Sequence, residues 1–136
     1  MKIGAYQFAV TSDINKNTDS HVDDQNVRES LDRIRKVAEQ TNIYVIVGSI
    51  TKNREDHHNS AVFFSPDNEI SMYHKRALFG WDSDNFVPSD KDGVFEIDEL
   101  EVGVRICFEV RFPEYFRELY RAHTDLNVIL FYDVTD

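Results

Sequence analysis

Gly103-Val-Arg-Ile-Cys-Phe-Glu-Val-Arg-Phe-Pro-Glu114 passes from β-forming residues to a helix start, and it carries the chain's only cysteine. A free cysteine behaves as a small hydrophobe, so a purely structural one usually has apolar neighbours on both sides. Cys107 instead has Glu109, Arg111 and Glu114 just downstream. Phe112-Pro113 reads as a helix start, because proline is tolerated in a first helical turn. The thiol therefore lies where a strand ends and a helix begins, close to cationic side chains and helix N–H dipoles, a setting that favours an exposed, reactive thiol. Taken alone, the stretch also fits a small core residue.

The same alternation of strands and helices continues on both sides. Lys2 to Val10 reads as a first strand and the polar run Thr11–Gln25 as a surface loop. Val27, Leu31, Ile34 and Ala38 recur at helical spacing, which gives one apolar face suited to covering a sheet. Ile43–Ile50 is a continuous apolar, β-branched run, the pattern of a central strand buried on both faces. Ser60–Ser65 and Ile70–Lys75 flank the turn formers Pro66-Asp-Asn-Glu69 and form a hairpin. Val94–Ile97 and Glu101–Cys107 form another. Phe112, Phe116, Leu119 and Tyr120 share a helical face expected in the core, and Leu126–Tyr132 reads as a further buried strand. The result is an α/β fold built around one mixed sheet with helices on one face. Residues 80–93, GWDSDNFVPSDKDG, form a second long loop, where functional groups often lie.

Composition sets the outer limits. A chain of 136 residues with 41% hydrophobic content is one domain with a real core. A net charge of −10 argues against a nucleic-acid partner. One cysteine makes neither an internal disulfide nor a thiolate metal cluster, and no apolar run approaches the roughly 20 residues of a membrane span. With no basic-then-apolar leader, the expectation is a cytoplasmic protein with no membrane contact. His57-His58 lacks a second ligand pair and reads as an exposed turn, and His74 as strand surface, so neither a metal nor another cofactor is expected.

Four segments, in order, resemble the nitrilase or carbon-nitrogen hydrolase superfamily: KIGAYQF with Asp13-Ile-Asn-Lys-Asn17; NIYVIVGSI leading to Asn59 in HHNSAVFFSPDNE; MYHKRALF; and ICFEVRFPE. The resemblance implies a partial αββα sandwich, with Cys107 as the nucleophile and Lys75 as the charge-stabilising lysine. It further implies that the Phe108 N–H assists at the oxyanion, with Asp82 and Glu109 at auxiliary positions. The implied reaction is hydrolysis of a small amide or nitrile through a thioester or thioimidate, with no cofactor and with pairing of two copies.

The sequence also departs from the family pattern. The segment that carries the family's general-base glutamate is not recognisable between Asn17 and Val27, and the part that follows the last strand in the family is absent from residues 1–136. Asp82 stands where the family has a glutamate, so a loss of reach is expected. Glu109 stands where the family usually has aspartate. Asp82, Glu109 and Glu55 are the carboxylates available as a substitute base. The alternative to an enzyme is a shortened, catalytically silent relative serving as a binding or assembly module, or a relative with no retained function.

Overall fold

The computed structural model describes the backbone of residues 3–6 and the chain from 24 to 131. The Gln7-Phe8 and Asp13–Asn17 signatures, most of the polar loop and Tyr132 lie outside the described residues. Strand β1 (Ile3–Tyr6) runs parallel to β2 (Tyr44–Asn53); β2, β3 (Asp56–Phe64) and β4 (Ile70–His74) then continue as antiparallel neighbours. β5 (Val94–Ile97), β6 (Leu100–Ile106) and β7 (Leu126–Leu130) form a second sheet, antiparallel and then parallel. The strands thus divide into two sheets in place of the one read from the pattern.

Side-chain alternation explains the division. Successive strand residues point to opposite faces, so Ile46, Ala61, Phe63 and Tyr73 meet Ile97, Val102, Val104 and Ile106 of the other sheet in one buried cluster. Val47, Val62 and Phe64 point the other way and pack against Leu31, Ile34 and Ala38 of helix α1 (Asp24–Thr41). β2 is therefore covered on both faces, as its uninterrupted apolar run predicts. On the outer face of the second sheet, Leu119 of helix α3 (Pro113–Arg121) lies so close to Gly103 that an added Cβ would sit 2.8 Å from it. The layers are helix, sheet, sheet, helix, which is the α/β sandwich expected, with helices flanking both sheets.

Several local expectations change. The Ser60–Ser65 strand begins earlier, at Asp56, and pairs with β2 through the two-residue turn Arg54-Glu55. Neither residue is a strong turn former, and Arg54 adopts a left-handed φ of 57°. β7 is only half covered, because Leu126, Val128 and Leu130 pack against the core while Asn127 and Ile129 point to the opposite face and are exposed. Tyr120 is 81% exposed and leaves the core to Leu119. Helix α1 begins at Asp24, inside the expected loop, where Asp24 accepts from Lys52 Nζ at 2.9 Å and lies 3.0 Å from His57 Nε2. No helix among the described residues is long and apolar enough to cross a membrane.

Candidate active site

Cys107 opens a 3-10 turn, Cys107–Arg111, directly at the end of β6. Pro113 then starts α3 at the expected place, with the turn interposed between thiol and helix. Cys107 has φ 48°, a left-handed conformation that costs a side-chain-bearing residue about 1–2 kcal/mol. It is partly buried and packs against the core between the sheets.

Glu109 holds this bend. Its Oε2 accepts the Ile106 N–H at 2.7 Å, the half of a capping box that an N3 glutamate can supply. Its Oε1 accepts the Tyr73 hydroxyl at 2.7 Å and the backbone N–H groups of Arg76 at 2.6 Å and Ala77 at 3.3 Å. Glu109 is completely buried. Burial, with Glu109 beside it, pushes the Tyr73 phenol far up, so its proton stays in place as a donor. A single carboxylate thus ties the residue before Cys107 to the residue after Lys75. Its oxygens are occupied by backbone and phenol donors, so Glu109 is an anchor and does not stand free as an auxiliary acid or base.

Lys75 follows β4 and is almost entirely buried, with its backbone N–H donating to the Asn59 carbonyl at 2.8 Å. Its Nζ donates to Asp82 Oδ2 at 2.5 Å, and Asn59 Nδ2 donates to the same oxygen at 3.2 Å. The expected loss of reach at Asp82 does not occur. The long loop opens with a short helix, α2 (Trp81–Asn85), closed by the Phe86 N–H on the Asp82 carbonyl, and this turn carries the shorter carboxylate to the ammonium. Trp81 meets Phe86 edge-on at 5.3 Å. Two further backbone bonds, from Val87 to His57 and from Ser89 to Lys75, pin the following loop.

His57 and His58 are not in the exposed turn that the pattern suggested, whereas His74 ends strand β4 and is only partly buried. His57 and His58 lie in β3, and His58 is buried, with its Nδ1–H on the Val87 carbonyl at 2.8 Å. His58 stacks on His74 at 4.3 Å, and His74 Nδ1 meets Ser60 Oγ at 2.7 Å. Desolvation, reinforced by His58 and Lys91, pulls the His74 pKa below its usual 6.5. Among the described residues, no three His, Cys, Asp or Glu side chains gather to hold a metal ion.

Phe108 stacks on Phe79 at 4.6 Å, and Arg111 lies over the Phe108 ring. Glu55 occupies the exposed turn between β2 and β3. Two residues missed in the sequence support the site from behind. Arg105, fully buried, donates to the carbonyls of Asp92 and Tyr115, and Glu118 of α3 accepts from both Arg105 and Arg76. An arginine on a strand and a glutamate on a helix carry no local mark of such pairing.

The carbon-nitrogen hydrolase profile matches residues 8–135. The chain belongs to the carbon-nitrogen hydrolase family. Over 84 residues it is 38% identical to a nitrilase of Pyrococcus abyssi, covering 61% of this chain and 32% of the relative. Over 97 residues it is 34% identical to an omega-amidase of Xenopus tropicalis, covering 63% of this chain and 35% of the relative. This family member thus spans about a third of the length of the curated relatives it matches. A mutant of an amidase from Nesterenkonia sp. AN1, solved after Michael addition of acrylamide at its active-site cysteine, superposes with a TM-score of 0.74 at 21% identity. That match covers 85% of this chain and 47% of the amidase, and it shows a shared fold.

Proposed function

We propose that the protein hydrolyses a small amide or nitrile, with Cys107 as nucleophile and Lys75 as the group that stabilises negative charge. The observation that carries this reading is the Glu109 carboxylate, which joins the turn of Cys107 to the chain leaving Lys75. As the thiol proton passes to Asp82, attack of Cys107 Sγ on an amide carbon forms a C–S bond and moves the carbonyl pair onto oxygen. Lys75 Nζ and the Phe108 N–H are the donors assigned to that oxyanion. Collapse breaks the C–N bond, the proton taken from the thiol goes to the leaving nitrogen, and ammonia or an amine departs. Water then cleaves the thioester, releasing the acid and restoring the thiol. With a nitrile, the first adduct is a thioimidate.

Of the three carboxylates considered for proton transfer, Asp82 is assigned the role. It already accepts a hydrogen bond from Lys75 Nζ, whereas Glu109 is fully engaged and Glu55 lies in an exposed turn. Neither a metal nor an organic cofactor takes part in this scheme. Pairing of two copies belongs to the proposal and is supported by the exposed Tyr120, Ile129 and Phe131. A reducing compartment such as the cytoplasm suits the free thiol.

Acrylamide labelling followed by mass spectrometry, together with ammonia release from a panel of small amides and nitriles, tests the reading. Cys107 is expected to label faster than a model thiol at neutral pH, and Cys107→Ala is expected to abolish ammonia release. Ordinary labelling with no release from any substrate would overturn the proposal in favour of a silent binding or assembly module.

A further inference from the structure

We propose that Glu109 is a positioning residue that sets the reactivity of Cys107 by holding its turn in register with Lys75; this rests on the hydrolase reading above. The two segments are distant in sequence, and they come from different sheets. A misplacement of about 1 Å in a reacting site can cost on the order of 100-fold in rate, so the relative placement of the ends of β4 and β6 matters. The Glu109 carboxylate ties those two ends together directly. One oxygen receives the N–H immediately before Cys107, and the other receives two consecutive N–H groups immediately after Lys75. The Tyr73 hydroxyl fixes the carboxylate from a third direction, and the Tyr73 ring is in turn held beside Gly93, where an added Cβ would lie 2.7 Å from it.

Four donors on two oxygens define what can occupy position 109. An amide presents one oxygen and one NH2 group, so glutamine keeps the Tyr73–Arg76–Ala77 side only by turning its NH2 against the Ile106 N–H, or the reverse. Either way, one end of the brace is released while the shape of the side chain is retained. Aspartate keeps both oxygens on a stem one methylene shorter.

The test is the rate of acrylamide addition to Cys107 in the full chain. The S–C bond forms at the β-carbon, negative charge passes toward the amide oxygen, and the thiol proton ends on the α-carbon. Wild type, Glu109→Gln, Glu109→Asp, Lys75→Met and Glu109→Gln/Lys75→Met are compared, with urea midpoints showing that each is folded. Gly103→Ala serves as a control destabilised on the outer face of the second sheet.

Glu109→Gln is expected to slow addition at least about ten-fold, Glu109→Asp to recover part of the loss, and Gly103→Ala to leave the rate unchanged. In the double variant, Glu109→Gln is expected to add nothing to the effect of Lys75→Met, because the brace acts through the placement of that lysine. A Glu109→Gln rate within two-fold of wild type, or a full additional loss in the double variant, overturns the inference while leaving a fast Cys107 in place. If wild-type Cys107 reacts no faster than a model thiol and Lys75→Met changes nothing, the hydrolase reading itself fails and the inference falls with it.

Discussion

Replacing either partner of the Lys75–Asp82 pair tests whether this contact is a buried, energetically coupled unit. Two unit charges 2.5 Å apart attract by about 6–7 kcal/mol at an effective dielectric constant near 20. Desolvation returns much of that gain, and breaking a buried pair by removing one partner costs about 3–5 kcal/mol. The Lys75 side chain is 4% exposed but Asp82 is 20% exposed, so water can partly replace the lost carboxylate. Asp82→Asn is therefore expected to cost about 3 kcal/mol, because asparagine retains an oxygen for Asn59 Nδ2 and loses only the charge. Lys75→Met should cost a similar amount, since it strands a carboxylate that Asn59 alone then serves. In the double variant neither charge is left behind, and the two losses should not add. Urea unfolding of all four proteins gives the coupling energy, expected at about 2–3 kcal/mol. A coupling below about 0.5 kcal/mol, the value of an exposed ion pair, would refute the reasoning.

Gly103→Ala should destabilise the chain by about 1–3 kcal/mol, because its Cβ would meet Asn127 Oδ1 at 2.5 Å and Leu119 at 2.8 Å; thermal unfolding measures it. Gly93→Ala should be at least as costly, because it combines a φ of 67° with a Tyr73 ring 2.7 Å from the new methyl. The depressed His74 pKa means that the unfolded chain binds the proton more readily than the folded one. Stability is thus fully present above pH 6.5 and falls as the pH drops through and below that value. Urea midpoints at pH 7.5 and 5.5 should differ in that direction, and less so in His74→Asn. Sedimentation should show a dimer, and Tyr120→Asp, on the exposed side of α3, should shift it toward monomer.

Much of this architecture is legible because periodicity carries it. Leu31, Ile34 and Ala38 fall on one helical face, and the apolar run of β2 requires cover on both sides. The Pro66–Glu69 and Asp98-Glu99 hairpins follow from short polar turns between β-formers. What periodicity does not carry is which sheet a strand joins, since β3 and β6 have similar apolar character and are assigned by their partners. The turn at Arg54-Glu55 also escapes, because its left-handed φ falls on an arginine in place of a glycine or asparagine. At the site, the ICFEVRFPE and MYHKRALF segments bring Cys107, Lys75 and Glu109 to attention. The work of Glu109 stays hidden, because it depends on backbone N–H groups more than 30 positions away, and a backbone donor has no residue identity to read. Asp82 likewise appears too short until the α2 turn is seen carrying it toward the lysine.

The short helix that delivers Asp82 has an experimental consequence, for its first residue, Trp81, is the chain's only tryptophan. Half exposed and edge-on to Phe86, its indole is an intrinsic optical probe placed one residue from the lysine's counter-ion. Excited at the red edge, where the six tyrosines do not absorb, tryptophan emission therefore reports the state of that single turn. A ligand that tightens it would change that tryptophan signal directly, and partial loosening there would register before the two sheets come apart.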